Sequence, residues 1–201
     1  MDCKGFDHPG GPETGGTRSV KVMIAGGFGT GKTTMVRSVS DIKPLTTEET
    51  LTQASAGVDH LIGVAEKTET TVSLDFGKIS ISDSLRLYLF GTPGQERFWF
   101  LWNGLCKGAL GAVVLVDTRR LASSFRAIEE MERLEVPFVI ALNVFPDSRE
   151  HPIEEIRDAL DISPHTPIVV CDARDRASSR DVLITLMRHL KDRAAVVLES
   201  R

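Results

Sequence analysis

Residues 26–33, Gly-Gly-Phe-Gly-Thr-Gly-Lys-Thr, constrain the fold of this chain more than any other stretch. They fit the pattern G-x-x-x-x-G-K-[ST], with an apolar run at residues 20–25 that predicts a buried strand before them and a predicted helix over residues 32–40 after them. A glycine-rich turn in that setting lets backbone N–H groups close around a polyphosphate at the positive end of the helix. A chance glycine turn would not explain both flanking elements. We therefore predict a phosphate-binding loop formed by Gly26, Gly27, Phe28, Gly29, Thr30, Gly31, Lys32 and Thr33, followed by Thr34.

The last two residues of this pattern carry the chemistry. In such loops the lysine contacts the β- and γ-phosphates, and the hydroxyl that follows it binds Mg²⁺. We therefore assign phosphate binding and a catalytic contribution to Lys32, and metal binding to Thr33.

Composition narrows the class of protein further. The 201 residues are 41% hydrophobic, which is enough for one domain with a substantial core. A formal net charge of −4 argues against nucleic acid as a partner. Cys3, Cys106 and Cys171 are too widely spaced to indicate a disulfide framework or a zinc site, so a reducing cytoplasm fits best.

Neither end of the chain indicates direct membrane insertion. No apolar signal region opens the sequence, and no segment approaches the about 18 apolar residues of a membrane span. Any recruitment to a membrane would then go through a partner. Residues 1–18 are rich in glycine and proline and poor in apolar side chains, so we expect a disordered tail followed by one domain over residues 19–201.

Strand and helix patterns alternate from the loop onward. Six strands are predicted, at residues 20–25, 71–82, 84–90, 110–116, 136–142 and 167–170. The fold class this predicts is α/β: a three-layer P-loop NTPase fold with a mainly parallel six-stranded sheet, one antiparallel hairpin strand, and helices on both faces. Residues 41–70 predict a long, weakly structured insert with at most a weak helix at 48–53.

The order of the motifs over residues 19–197 resembles the Ras-like small GTPases. After the loop come a threonine at a strand, Gly-Thr-Pro-Gly-Gln at residues 91–95, an asparagine after a buried strand, and a polar loop before the last helix. Within that superfamily the chain is similar to the prokaryotic branch of the conservon operons. The resemblance implies GTP or GDP with Mg²⁺ as ligands, and a Roadblock-type protein and a sensor-kinase-like membrane protein as partners.

The resemblance also implies roles for the two switch segments. Thr71, with Thr70 as a close rival, matches the threonine that binds Mg²⁺ and the γ-phosphate; the alternative is a β-branched residue that merely opens a strand. Gly94 matches the glycine that senses the γ-phosphate. Gln95 matches the catalytic glutamine that orients the attacking water.

The base-reading segments match the family less well. Asn143 fits the asparagine of the N-K-x-D motif, but the lysine is missing and the carboxylate, Asp147, arrives one residue late. The resemblance implies that the loop containing Asp172, Ala173 and Arg174 contacts the base.

Two further departures concern catalysis. Gly91 stands where the family has an aspartate that supports Mg²⁺, and Asp117 is one candidate substitute, although a capping role suits it better. Phe28 stands beside the predicted γ-phosphate position, where it would crowd Gln95. These departures predict slow hydrolysis, or a nucleotide-binding scaffold that does not hydrolyse at all. An ATP-using P-loop enzyme is a third alternative.

One apolar segment exceeds what a single helix face can bury. Residues 98–102, Phe-Trp-Phe-Leu-Trp, follow Gln95-Glu96-Arg97 directly. We expect one or two of these five side chains to face outward and to form a candidate partner surface.

Overall fold

The computed structural model describes residues 17–51 and 70–199. The predicted tail lies almost entirely outside these ranges, as do most of residues 52–70, so the division at residue 18 stays a prediction. For some residues within the ranges, among them 46–50, 70–73, 96 and 97, the backbone alone is described. No helix among the described residues is long and apolar enough to cross a membrane.

One seven-stranded sheet forms the centre of the described chain. Its spatial order is β2-β3-β4-β1-β5-β6-β7, with parallel pairing from β4 through to β7 and antiparallel pairing of β3 with both β2 and β4. The strands are β1 (Arg18–Gly26), β2 (Leu45–Leu51), β3 (Thr70–Ser82), β4 (Leu85–Gly91), β5 (Gly111–Val116), β6 (Phe138–Asn143) and β7 (Ile168–Cys171).

Helices cover both faces of the sheet. They are α1 (Lys32–Val39), α2 (Trp102–Cys106), α3 (Phe125–Arg133), α4 (Ile153–Ala159) and α5 (Arg176–Glu199), with 3-10 helices at Glu96–Leu101 and Thr118–Ser124. One apolar cluster lies between the sheet and α1 with α5, and a second lies between the sheet and α2, α3 and α4. The predicted three-layer fold and all six predicted strands are confirmed.

The seventh strand, β2, corrects the sequence-based expectation. Residues 48–51 belong to a strand rather than to the weak helix predicted at 48–53. They pair antiparallel with β3, where Leu51 lies opposite Thr70. Helix propensity over so few residues is a weak preference, and the partner strand overrides it.

A register shift between β3 and β4 positions one side chain for the site. Ser82 lies opposite Leu85, but a bulge between Ser80 and Ser82 changes the pairing by one residue, so Asp75 lies opposite Gly91. Without the shift Gly91 would face Phe76, because a one-residue slip moves every side chain to the other face. The bulge therefore places a carboxylate beside the glycine that ends β4.

Candidate functional site

The loop between β1 and α1 has the geometry that a phosphate needs. Gly26, Gly29 and Gly31 have φ angles of 141°, 75° and 101°, which residues with side chains rarely adopt. A Cβ atom at Gly31 would also lie 2.5 Å from Nδ2 of Asn143. Gly31 caps α1, and no side chain caps the first turn of that helix. The first N–H groups of α1 can therefore be offered to an anion.

Lys32 lies beneath this loop. Its Nζ atom donates hydrogen bonds to the carbonyl oxygens of Gly26 and Gly27, at 3.0 and 2.6 Å. Burial lowers the pKa of Lys32 to about 8, against an opposing effect of the Asp75 charge. A buried ammonium group with so little compensating charge attracts an anion strongly.

Thr33 donates its hydroxyl to the Oδ2 atom of Asp75 at 2.5 Å. Asp75 is buried in β3, and Thr33 is the second residue of α1, so two distant parts of the chain supply adjacent oxygen atoms. Hydroxyl and carboxylate oxygens are the ligands that Mg²⁺ prefers, and the remaining positions are normally taken by phosphate and water. The pair therefore fits a Mg²⁺ ion placed beside a bound polyphosphate.

Asp75 is a candidate site residue that the sequence-based reasoning missed. A Cβ atom at Gly91 would lie 3.0 Å from the Cβ and 3.2 Å from the Oδ2 of Asp75. The carboxylate thus occupies the place of the aspartate that the family resemblance implies at position 91. Asp75 occupies a polar position of the alternating pattern at residues 72–76, so the pattern gives no sign that this carboxylate is buried, and its place beside Gly91 depends on the register set by the bulge.

Asp117, the other candidate for that carboxylate, has a different role. Its side chain accepts a hydrogen bond from the backbone N–H of Arg119, and it forms ion pairs with the guanidinium groups of Arg119 and Arg120. The hydrogen bond from the Arg119 side chain is the largest effect holding the pKa of Asp117 below its usual value. Asp117 caps the loop after β5, as its sequence position indicated.

Arg120 links this loop to the phosphate-binding loop. Its Nη2 atom donates to the carbonyl oxygen of Phe28 at 3.4 Å and would lie 3.3 Å from a Cβ atom at Gly29. Arg119 stacks on Phe145, with its guanidinium carbon 3.9 Å from the ring centroid. Arg119 and Arg120, both held by Asp117, therefore lie between the phosphate loop and residues 143–147. These residues form the predicted base-reading motif, from which the usual lysine is missing.

The segment predicted to be the second switch lines the phosphate pocket. A Cβ atom at Gly94 would lie 2.6 Å from the Nζ atom of Lys32, so Gly94 lies directly against that lysine. Gln95 and Phe28 line the same pocket of about 340 Å³. The phenyl ring of Phe28 is 66% exposed, so it is not packed away into the core. Gly94, the predicted γ-phosphate sensor, therefore lies close to Gln95, the predicted catalytic glutamine, and to Phe28, the residue predicted to obstruct it.

Asn143 joins three segments of the site. Its Nδ2 atom donates to the carbonyl oxygen of Thr30 at 3.0 Å, and its Oδ1 atom accepts from the N–H of Ala173 at 2.9 Å. The end of β6 is thereby fixed to the phosphate loop and to the loop before α5. These two bonds hold Asn143 and Ala173 together beside the phosphate loop, and their contact with a base stays a prediction.

Other predicted base contacts are exposed or pair with each other. Asp147 is exposed and does not line the phosphate pocket. Asp172 pairs with Arg174 at 2.7 Å, and that hydrogen bond lowers the pKa of Asp172 to about 2. The Thr71 backbone lies in β3 opposite Thr50, and its side chain is outside the described part of the structure.

The aromatic run divides between core and surface. Phe98 and Trp102 are buried, and the indole N–H of Trp102 donates to the carbonyl oxygen of Pro93 at 3.3 Å. Trp99 is half-buried, with the guanidinium carbon of Arg126 5.3 Å from its ring centroid. Phe100 is 66% exposed. Phe100 therefore meets the expectation of an outward side chain, whereas Trp102 is a core residue.

Comparison with known proteins places this arrangement in a family. Residues 24–193 match the family described as conserved hypothetical ATP binding protein. The chain belongs to this family. The uncharacterized protein MJ1339 of Methanocaldococcus jannaschii is 29% identical over 126 residues, which are 62% of this chain and 69% of that protein. The Ras-related protein Rab-11C of Dictyostelium discoideum is 38% identical over 55 residues, 26% of this chain and 25% of its own length.

Solved structures of G domains have the same fold. The G domain of the T. maritima FeoB iron transporter has a TM-score of 0.57 at 16% identity, covering 88% of this chain and 99% of that domain. The FeoB G domain of Methanococcus jannaschii has a TM-score of 0.58 at 12% identity, covering 87% and 99%. The T. maritima cytosolic domain in a GDP form has a TM-score of 0.62 at 15% identity over 88% of this chain, which spans 65% of that domain's length. The chain thus has a small GTPase-like P-loop fold.

Proposed function

We propose that this protein is a small GTPase-like switch that binds GTP or GDP with Mg²⁺ and hydrolyses GTP slowly. The observation that carries the proposal is the Thr33–Asp75 pair beside the buried Lys32 ammonium group. Mg²⁺ would neutralise charge on the β- and γ-phosphates, as it does in phosphoryl transfer generally. The relocated carboxylate supports metal binding despite the glycine at position 91.

The residues around the pocket suggest how the switch would respond. Lys32 would exchange its bonds to two loop carbonyls for stronger charge-assisted bonds to phosphate. Gly94 lies against the Lys32 ammonium group, so a γ-phosphate at that lysine would displace or reorder Gly94 and the segment that follows it. Gln95 would then orient water. This coupling is how a γ-phosphate orders a switch segment.

Slow hydrolysis follows from the position of Phe28. Phe28 lines the same pocket as Gln95, and a misplaced water-orienting group reduces the rate strongly. Arg120 donates a hydrogen bond to the backbone carbonyl oxygen of Phe28 and lines a neighbouring pocket together with Gln95. We infer that rapid turnover needs a partner that repositions the second switch.

The decisive experiment is to identify the nucleotide that the protein binds. Protein purified without added nucleotide is denatured, and the released ligand is identified by chromatography; we expect GDP or GTP. Stripped protein is then titrated by calorimetry with GTP and ATP, each with and without Mg²⁺. Equal affinity for the two nucleotides, or a preference for ATP, would remove the GTPase assignment and favour the adenine nucleotide that the family description names.

A nucleotide-binding scaffold that does not hydrolyse is the second candidate. The altered base motif and Phe28 favour it, whereas the Thr33–Asp75 pair and Gln95 favour the switch. Single-turnover measurement of phosphate release separates the two, because a scaffold releases none.

The proposed cellular setting is a membrane-associated bacterial signalling complex of the conservon type. It rests on the family resemblance, which implies a Roadblock-type protein and a sensor-kinase-like membrane protein as partners, with this protein recruited from the cytoplasm. Binding of a purified Roadblock-type protein would be measured with this chain loaded with GDP and with a non-hydrolysable GTP analogue. Tighter binding in the triphosphate state is expected. Identical affinity in both states would argue against a switch role in that complex.

A further inference from the structure

A second large groove lies away from the nucleotide pocket, between α5 and the β3–β4 hairpin. Its volume is about 630 Å³, compared with about 340 Å³ for the phosphate pocket. Its floor is apolar, formed by the buried side chains of Ile79, Leu87 and Leu183. Ile81 and Ile184, at 54% and 42% exposure, continue this apolar surface outward.

The rim of this groove is cationic. Arg176, Arg180, Arg188 and Lys191 line it from α5, against one carboxylate, that of Asp41. Asp41 pairs with Arg176 at 2.9 Å. Among the described residues, no ion pair involves the other three cations. A local excess of positive charge is notable in a chain of net charge −4.

The cations lie along one face of α5. Groove-lining positions recur at steps of three and four residues from Arg176 to Lys191, the spacing of a single helical face. The arginines at 176 and 180 are an i, i+4 like-charge pair, which by itself destabilises a helix. Fifteen residues of helix span about 22 Å, so the groove is as long as a helix of about four turns. An anionic occupant would offset the repulsion.

We propose that this groove binds an amphipathic helix of a partner protein, with apolar side chains on the floor and carboxylates against Arg180, Arg188 and Lys191. Arg180 and Arg188 are about 12 Å apart along α5, and Lys191 follows about 4.5 Å farther on, so carboxylates at i, i+8 and i+11 of such a helix would match the three cations. This is the helix-in-groove mode of recognition. An anionic membrane fits less well, because the net charge of −4 opposes approach to a negative surface.

The experiment uses a fluorescein-labelled peptide of about 16 residues, with leucines at every third or fourth position and glutamates beside them. Fluorescence anisotropy is measured with the full chain. Arg180→Glu combined with Arg188→Glu should weaken binding at least about tenfold. Arg193→Glu is the matched control, because Arg193 is exposed on α5 and does not line the groove, and it should leave binding unchanged. A peptide with lysines in place of the glutamates should not bind.

Several outcomes would overturn the proposal. They are no binding of the acidic peptide, equal loss in the control variant, or binding to phosphatidylglycerol vesicles that depends on the two arginines. Removal of residues 1–16 tests self-occupancy, and peptide binding that appears only after this removal would assign the groove to the chain's own N-terminal segment. The Lys32→Ala variant should bind the peptide normally, so this proposal and the nucleotide proposal fail independently.

Discussion

The phosphate end and the base end of the candidate site depart from the family pattern in different ways. At the phosphate end the expected carboxylate is missing from β4, but Asp75 of β3 delivers one to the same place, against Thr33. At the base end the lysine is missing, and Asp147 lies exposed and outside the phosphate pocket. Chemistry at the phosphate end can thus be preserved by a neighbouring strand, because only the position of the oxygen atoms matters there. Base selectivity needs hydrogen bonds aligned with one ring, and it tolerates less displacement.

Lys32→Ala tests the phosphate end with the largest expected effect. Loss of several charge-assisted bonds should reduce affinity for GTP and GDP on the order of 1,000-fold, measured by calorimetry. Lys107→Ala, which removes an exposed lysine far from the pocket, should bind normally. Unchanged affinity in the Lys32 variant would end the nucleotide hypothesis.

Exchanging the two carboxylate positions sharpens the comparison. Asp75→Ala should weaken Mg²⁺-dependent GTP binding about 10- to 100-fold, the range for groups that support a metal site. Gly91→Asp alone should also impair binding, because its Cβ would lie 3.0 Å from that of Asp75 and two carboxylates would compete. The double variant should recover much of the loss. If it recovers none, Asp75 does not replace the missing aspartate.

The same residues show what the sequence could and could not predict. The phosphate loop could be predicted from the sequence because its function depends on a short contiguous pattern between a strand and a helix. The position of Asp75 in the site could not be predicted, because it depends on a bulge between Ser80 and Ser82 that no local sequence pattern indicates. Strand β2 was missed for a related reason, since its pairing with the distant strand β3 determines it. Which side chains of residues 98–102 face outward was left open, because packing against distant residues decides it.

The Phe28→Gly variant tests whether crowding, rather than metal binding, limits the rate of GTP hydrolysis at the phosphate end. The wild-type protein should hydrolyse GTP well below about 1 s⁻¹, and the variant should do so about 10- to 50-fold faster, because Gln95 gains room to orient water. Single-turnover phosphate release measures both. Phe100→Ala removes an equally exposed phenyl ring and should not change the rate. A fast wild-type enzyme would show that Phe28 does not obstruct the site.

The lowered pKa of Lys32 predicts a pH dependence that belongs to the phosphate end. In the nucleotide-free protein the ammonium form dominates below about pH 8 and is lost above it, whereas bound phosphate raises the pKa by stabilising the charge. Affinity for GTP should therefore be nearly constant up to about pH 7.5 and fall about tenfold between pH 7 and pH 9. A Lys32→Arg variant, which stays charged throughout, should show a flatter profile. A wild-type profile as flat as that of the arginine variant would contradict the role of Lys32 titration.

The base end should yield the smallest effect. Asp147→Asn removes the carboxylate that would pair with guanine, but that carboxylate is exposed on a loop outside the phosphate pocket. We therefore expect the ratio of GTP to ATP affinity to fall only about two- to fivefold, far less than the loss seen when an aligned hydrogen-bonding group is removed. Competition of ATP against labelled GTP measures the ratio, with Asp158→Asn as a control on α4. A fall of 100-fold or more in the ratio of GTP to ATP affinity would mean that Asp147 moves onto the base when nucleotide binds. The contrast between the phosphate end and the base end would then hold only for the nucleotide-free protein.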